Sequence, residues 1–158
     1  MKNLRKTLAL ALVLVMALGM VPLASANSSI AVMNVEDFTD ADAIQEQYVE
    51  AADVLASLGV YQGDRGAFRP QDTITRAESA ALMARIMLGY TTAEALPLTA
   101  TGFRDVPAGH WAAGYISFGV EIGILAGHGD GTFRPNDPIT GFQVGKLLLG
   151  ALGYGLHG

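Results

Sequence analysis

The segment "DTITRAESAALM" (residues 72–83) recurs as "DPITGFQVGKLL" (residues 137–148), and this pair decides how the chain is organised. Each copy keeps an aspartate, an Ile-Thr pair, and a Glu or Gln three residues after the threonine. That spacing is typical of a capping box, in which the two side chains satisfy backbone N–H groups at the start of a helix. Thr75 with Glu78 and Thr140 with Gln143 therefore predict two equivalent helix starts.

The repeat extends well beyond these helix starts, at a spacing of 65 residues with one-residue slips. The matching blocks are Phe38-Thr39-Asp40 with Phe103-Arg104-Asp105, Gly59-Val60 with Gly123-Ile124, and Phe68-Arg69-Pro70 with Phe133-Arg134-Pro135. In each unit, apolar residues at three- and four-residue steps predict a first helix, and a loop rich in Gly and Pro leads to the second. The predicted fold is all-α, with two tandem helix-loop-helix repeats.

The predicted domain organisation follows from the repeat and from the N-terminal composition. Basic residues at positions 2, 5 and 6 precede an apolar run that ends in Ala24-Ser25-Ala26, which is typical of a cleaved signal peptide over residues 1–26. A short linker (27–34), repeat 1 (35–90), a connector (91–101), repeat 2 (102–154) and a tail (155–158) follow. No later stretch is long and apolar enough to predict a membrane span.

The charge balance excludes one class of partner. The leader holds three of the 10 basic residues and none of the 15 acidic ones, which leaves seven basic and 15 acidic residues in the mature chain, a net charge of −8. Nucleic-acid binding depends on clustered Lys and Arg, so no nucleic-acid partner is expected. The sequence contains no cysteine, so a hydrophobic core must hold the fold without disulfides.

The second helices of the two units differ in composition. In unit one the alanines at positions 77, 80, 81 and 84 predict close helix packing. In unit two, Gly141, Gly145 and Gly150 each cost about 1 kcal/mol relative to Ala. Burial of the leucines at 147–149 and 152 would offset that cost, and the Gly141 to Gly145 spacing predicts close packing on a neighbouring helix.

Arg76 is the residue of unit one that unit two does not keep, since Gly141 occupies its place. A cation at the first position of a helix faces the positive end of the helix dipole, so another interaction must favour it. One interpretation is a bound carboxylate held by the arginine and by free N–H groups of the helix start. The other is an ion pair with a neighbouring acid such as Asp105.

No catalytic or metal-binding constellation is apparent in the sequence. The three histidines lie at positions 110, 128 and 157, and no serine elbow or distinct acid pair is present. A calcium loop needs a Glu at its twelfth position, but counting from Asp64 or Asp130 gives Thr75 or Gly141. The sequence therefore predicts a binding module that is not an enzyme and that uses no cofactor or metal.

Together these blocks resemble the S-layer homology domain. The resemblance covers residues 35–154. It is carried by Phe103 to Val106, His110 to Ala112, Gly123-Ile124, Gly129 to Pro135 and Ile74 to Glu78. It implies a helical fold in which three repeats usually form a pseudo-threefold unit around a central bundle. It also implies a secreted protein of the cell surface, anchored non-covalently by secondary cell-wall polysaccharide, commonly pyruvylated, in grooves between repeats. This chain departs from the pattern in having two repeats and in lacking the second arginine.

The resemblance nominates a polysaccharide groove in which Arg76 is joined by five further residues. These are Asp40, Asp105, Trp111, Gly59 and Gly123. Each has a local alternative: the aspartates can be caps or turn formers, Trp111 can belong to the core, and His110 can tie down its loop. The alternative function is structural assembly, by self-association or with a third repeat of another chain, through Leu147 to Leu149 and the last helix.

Overall fold

The computed structural model describes residues 33–154, a region that folds into helices. They are α1 (Glu46–Ser57), α2 (Arg76–Leu88), α3 (Tyr90–Glu94), α4 (Ala113–Glu121) and α5 (Gly141–Ala151), preceded by 3-10 turns at Val35–Asp37 and Ala41–Ala43. Within this range no strand forms, so the all-α prediction is confirmed. The predicted signal peptide and the tail lie outside the described residues. None of the described helices has the length and apolarity needed to cross a bilayer.

The two predicted helix starts are confirmed. The Thr75 hydroxyl accepts a hydrogen bond from the Glu78 N–H (3.2 Å), and the Glu78 carboxylate accepts one from the Thr75 N–H (2.7 Å). Thr140 and Gln143 form the same pair of bonds at 3.3 and 2.9 Å. The second helix of each repeat therefore begins for a reason that lies within four residues of sequence.

The main core joins the second helix of repeat 1 to the first helix of repeat 2. Helix α2 packs on α4, and the four α2 alanines predicted to pack closely are all buried. The side chains of Ile116 and Phe133 from repeat 2 are fully buried in the same cluster. Small residues on α2 let the two helix backbones approach closely, so the boundary between the repeats is also the centre of the core.

Helix α1 packs apart from this main core. Its buried Ala52 joins Val35, Ile44 and part of Phe68 in a small separate cluster. The sequence pattern predicted one buried face through Ile44, Tyr48, Ala51, Ala52, Leu55 and Leu58. This prediction is wrong for most of that face, because Tyr48, Ala51, Leu55 and Leu58 are exposed and Ile44 precedes the helix.

Helix α5 also departs from expectation. Leu147 is buried, but Leu148, Leu149 and Leu152 are 48%, 53% and 72% exposed. A Cβ atom added at Gly141 or Gly145 would meet no other atom within 4 Å, so this spacing does not mark close packing of described helices. The expected burial of α5 is wrong because no described element covers its outer face.

The connector between the repeats is more ordered than its composition indicated. Most of α3 falls within residues 91–101, and Ala93 is buried. The Glu94 carboxylate accepts hydrogen bonds from Arg85 Nε (2.9 Å) and from the Tyr115 hydroxyl (2.6 Å). Burial, aided by the bond to Glu94, raises the pKa of Tyr115 to about 12. The connector is thus tied to both repeats.

Candidate functional site at the repeat junction

The two repeats are joined by backbone hydrogen bonds at the start of α2. Asp137 and Pro135 of repeat 2 accept from the N–H groups of Arg76 and Ala77, each at 2.9 Å. The next two N–H groups of the helix bond to the Thr75 side chain and carbonyl. All four N-terminal N–H groups are therefore occupied, and the expectation that free N–H groups would hold a carboxylate is wrong.

The Arg76 side chain clasps the following repeat. Its Nε donates to the Phe133 carbonyl and its Nη2 to the Ala126 carbonyl, both at 2.9 Å, and the guanidinium carbon lies 4.4 Å from the centroid of the Phe133 ring. Arg76 makes no ion pair with Asp105 in residues 33–154, so the ion-pair interpretation is wrong. The side chain instead forms a clamp on two backbone carbonyls. Burial is the largest influence on the pKa of Arg76 and lowers it.

A pocket of about 240 Å³ opens beside this clamp, between α2, α5 and the loop that follows α4. Its polar lining includes Arg76, His128, Gln143 and Lys146, and no Asp or Glu lines it. Among the described residues, Lys146 forms no ion pair, and the buried His128 Nε2 has no hydrogen-bond partner. The pocket is therefore cationic although the chain as a whole carries a net charge of −5.

Asp40 and Asp105 hold the loops of their own repeats. The Asp105 carboxylate accepts from the N–H groups of Phe133 (2.9 Å) and Arg134 (2.7 Å), and Asp40 makes the same two bonds in repeat 1. These bonds lower the pKa of Asp40; for Asp105 they outweigh burial, which acts to raise its pKa. Both aspartates are therefore long-range anchors of their loops, which neither the cap nor the local-turn alternative described, and Asp40 makes no side-chain cap bond.

The paired hydrogen bonds to Asp40 and Asp105 explain an unusual backbone conformation in the two Phe-Arg-Pro blocks. Arg69 and Arg134 adopt left-handed conformations, with φ of 57° and 60°. Such a conformation is unfavourable for a residue with a Cβ atom. The paired hydrogen bonds to each aspartate hold it in place, which accounts for the fixed spacing between aspartate and arginine in both repeats.

Trp111 lines a different groove, of about 630 Å³, on the other side of the junction. Its side chain is 51% exposed and stacks near the His110 ring, with centroids 6.0 Å apart. Arg69 and Arg85 also line this groove but are paired with Glu78 and Glu94. Arg76 and Trp111 therefore do not share one groove. Of the other nominated residues, Asp40, Asp105 and Gly59 line neither groove, and Gly123 lines a third one beside α5.

The remaining nominated residues shape the backbone. Gly59 and Gly123 follow the first helices with φ of 68° and 76°, a left-handed conformation that glycine adopts without strain. The His110 ring accepts a hydrogen bond from the Ala112 N–H (3.1 Å), which ties down its loop. In the Gly-Asp-Gly-Thr segment, Asp130 accepts two bonds from Thr132 and so forms a turn.

Sequence reasoning missed Lys146 and His128 as pocket residues. Lys146 interrupts an otherwise apolar run, Val144 to Leu149, and this was a usable signal of a special position. His128 carried no such signal, because its place in the pocket depends on the way the loop after α4 meets α2. No group of three His, Asp or Glu side chains suited to a metal ion occurs in the described part of the chain.

Comparison with known proteins identifies the repeats. The S-layer homology domain family matches residues 37–80 and 102–144, together more than half of the chain. Cell surface glycoprotein 1 of Acetivibrio thermocellus is 36% identical over 84 residues, which are 53% of this chain and 4% of that protein. The cellulosome-anchoring protein of the same organism is 39% identical over 75 residues (48% of this chain, 17% of that protein).

A third relative covers more of the chain. The surface-layer 125 kDa protein of Lysinibacillus sphaericus is 35% identical over 130 residues, which are 80% of this chain and 10% of that protein. The chain thus spans less than a fifth of the length of each of these relatives. No solved structure matches the chain. With both of its repeats matched, this chain belongs to the S-layer homology domain family of cell-surface proteins.

Proposed function

We propose that the chain anchors its protein to the cell envelope by binding an acidic group of a secondary cell-wall polysaccharide in the Arg76 pocket. The observation that carries the proposal is the pocket's charge: Arg76 and Lys146 face it, and no acid lines it. The relatives named as surface-layer and cellulosome-anchoring proteins support an anchoring role. As an anchoring module the chain performs no catalysis.

A carboxylate such as that of a pyruvyl ketal fits the chemistry of the pocket. The Arg76 guanidinium and the Lys146 ammonium supply charge-assisted hydrogen bonds, which are stronger than neutral ones. Because Arg76 is already held by two carbonyls, its guanidinium loses little freedom when a ligand binds. Ile124, Leu125 and Leu147 supply an apolar wall for the ketal methyl group.

The pocket is small, so we propose that it holds one acidic substituent while the polymer continues over the surface. Trp111, half exposed in the second groove, is a platform on which a neutral sugar ring of the same polymer can stack. Asp40, Asp105, Gly59 and Gly123 would act indirectly, by holding the loops and helix ends in shape.

Co-sedimentation with purified cell-wall sacculi tests the proposal. The chain from residue 27 should pellet with sacculi, and it should stay in solution when the secondary polymer has been stripped from them. Lys146→Ala is the decisive variant, because Lys146 lines the pocket but belongs to no clamp or cap. We expect it to reduce pelleting about tenfold, the effect of losing one charge-assisted contact. Arg65→Ala is the matched control, since Arg65 is exposed and pairs only with the adjacent Asp64.

Two results would contradict the proposal. Pelleting of Lys146→Ala and of His128→Ala at the level of the unmodified chain would exclude the Arg76 pocket as the polymer site. Pelleting that survives removal of the polymer would show that the chain binds another component of the wall. Circular dichroism spectra of each variant would verify that the helices are intact.

A further inference from the structure

His128 has a fixed place beside the Arg76 pocket. Its backbone N–H donates to the Thr132 carbonyl (2.7 Å) and closes a tight turn in the loop after α4. The preceding Gly127 packs against the ring of Phe103 so closely that a Cβ atom at this position would collide with it. These contacts hold the backbone at His128, and its side chain lines the pocket.

The same turn occurs in repeat 1, but there it carries an aspartate. Gly59 and Gly123 place the two repeats 64 residues apart in this part of the chain, so Asp64 corresponds to His128. The Asp64 N–H donates to the carbonyl three residues later (2.9 Å), and its side chain lines the groove that contains Trp111. The turn therefore directs this position toward a groove in both repeats, and repeat 2 places an imidazole there.

The charged groups that share the pocket with His128 are cations. Arg76 lines it from α2 and Lys146 from α5, and no Asp or Glu does so. In the loop itself, Asp130 is paired with Arg134 at 3.1 Å. No carboxylate of the described residues therefore faces the imidazole within the pocket.

The other charged groups near this loop are engaged outside the pocket. Asp105 accepts from two N–H groups of the loop, at 2.9 and 2.7 Å. Arg104 donates to the Asp130 carbonyl (2.7 Å), and the Asp137 carbonyl accepts from the Arg76 N–H (2.9 Å). The side chains at 104, 105 and 137 do not line the pocket, so a bound anion would supply the negative charge that the lining lacks.

His128 also has an unsatisfied ring nitrogen. Its Nε2 is buried and has no hydrogen-bond partner among the described residues. A buried polar atom without a partner is unfavourable, so such an atom beside a pocket indicates a place for a ligand atom. A carboxylate oxygen fits this place because it accepts from a ring N–H. It also favours the charged imidazolium, which carries an N–H on both nitrogens.

We propose that an acidic group binding in the Arg76 pocket is accompanied by uptake of a proton at His128, so that the chain holds its polymer more tightly as the pH falls. The proton passes from solvent to the ring, and the imidazolium Nε2–H donates to the carboxylate beside Arg76 and Lys146. This coupling rests on the proposed function, because it concerns the same pocket and the same ligand.

The direction of the pH effect follows from linkage. Histidine is the side chain that changes charge between about pH 5 and pH 8, whereas carboxylates are already ionised and Lys and Arg stay charged in that range. The bound anion favours the protonated ring, so the affinity is greatest below neutral pH and falls as the ring loses its proton. Binding should be about tenfold tighter at pH 5.5 than at pH 8, the effect of one added charge-assisted hydrogen bond.

Isothermal titration calorimetry of the chain from residue 27 with polymer released from sacculi measures both quantities. Affinities at pH 5.5 and pH 8 give the tenfold ratio, and a constant ionic strength keeps the screening of the two cations the same. Titrations near pH 7 in buffers of different ionisation enthalpy give the number of protons taken up per site. This number should be positive, up to about one.

Two variants at position 128 fix its charge in opposite states. His128→Gln is polar but uncharged, so it should bind equally at both pH values and take up no proton. His128→Lys is charged throughout this range, so it should also lose the pH dependence but bind more tightly than His128→Gln at pH 8. His157→Gln, near the end of the chain, is the matched control and should keep both the tenfold ratio and the proton uptake. A purely structural role of His128 would lower the affinity equally at both pH values.

The outcomes separate this coupling from the proposed function. Equal affinity of the unmodified chain at both pH values, or proton uptake that persists in His128→Gln, would overturn the coupling alone, provided that Lys146→Ala still weakens binding. Binding of Lys146→Ala at the unmodified level, or no binding at any pH, would overturn the proposed function and the coupling with it. Circular dichroism spectra verify that each variant keeps its helices.

Discussion

Helices α2 and α5 occupy equivalent places in the two repeats, yet one is buried and the other is largely exposed. Both begin at a threonine capping box of the same geometry. The alanine face of α2 is covered by α4, whereas Leu148 and Leu149 of α5, and Leu152 directly after it, are 48%, 53% and 72% exposed. The comparison shows that the cap fixes where a helix begins, while the next repeat along the chain decides whether the helix is buried.

The same comparison explains the arginine that unit two lacks. Arg76 extends from repeat 1 to the loop of the following repeat, where it meets two carbonyls and an aromatic ring. Within residues 33–154 no loop stands in that relation to Gly141. Both repeats keep the capping residues of the motif because these residues start the helix of their own repeat. The arginine instead contacts the following repeat.

The largest expected effect compares the two loop phenylalanines. Phe133 is fully buried in the main core, so Phe133→Ala should cost about 3–5 kcal/mol of unfolding free energy. Phe68 is only partly buried beside the small cluster, and Phe68→Ala should cost about 1–2 kcal/mol. Urea denaturation followed by circular dichroism measures both. Equal losses would show that the two repeats contribute equally to the core, contrary to the structure.

Removal of the clamp is the next test. Arg76→Ala deletes two charge-assisted hydrogen bonds and a cation–π contact and should cost about 2–3 kcal/mol. Arg76→Lys, which keeps the charge but not the planar fork, should recover only part of this. The same denaturation measurement applies. A loss below about 0.5 kcal/mol, the usual range for a surface residue, would show that the clamp does not hold the repeats together.

Acid should weaken both loops alike. Hydrogen bonds from the loop lower the pKa of Asp40 and Asp105 in the folded chain, so the stability they provide is present above their ordinary pKa of about 4. It is lost as the pH falls through the lowered values. The thermal midpoint should therefore drop as the pH falls below about 4, and less steeply in the double variant Asp40→Asn, Asp105→Asn. Asp42→Asn, at an exposed aspartate, is the control and should keep the original slope.

The smallest expected effects come from exchanging glycine and alanine at equivalent positions of α2 and α5. Gly145→Ala should raise stability by about 0.5–1 kcal/mol, because the added methyl group meets open space and alanine favours the helix. Ala80→Gly, at the fully buried equivalent in α2, should lower it by at least about 1 kcal/mol. Thermal unfolding at low concentration measures both. A destabilising Gly145→Ala would mean that a partner already packs on this face.

The local features of this fold were readable from sequence, and the contacts between repeats were not. The capping boxes, the glycine turns and the alanine face follow from residues within one or two helical turns of one another. The exposure of Leu148 and Leu149 could not be predicted. Apolar residues at helical spacing indicate a face that favours burial, but they do not show whether another element covers that face. The α1 face was misjudged for the same reason.

The same distinction between local features and contacts between repeats applies to the candidate site. Arg76 was singled out correctly as a residue whose position on the helix is not explained by the helix itself. Its partners, the carbonyls of Phe133 and Ala126, lie 57 and 50 residues away and are backbone atoms, which sequence patterns do not reveal. The separation of Arg76 from Trp111 likewise depends on how the helices are arranged in space.

The hydrogen bonds that join the repeats at the start of α2 are accepted by main-chain carbonyl groups, and this affects how the loop of repeat 2 can diverge in sequence. Apart from the Phe133 ring, the start of α2 and its arginine contact carbonyl oxygens of repeat 2, which every residue type supplies. The loop can therefore accept many side-chain changes without losing its grip on the preceding helix. Substitutions in that loop should therefore disturb the docking geometry less than substitutions of the α2 alanines, whose side chains pack closely on α4.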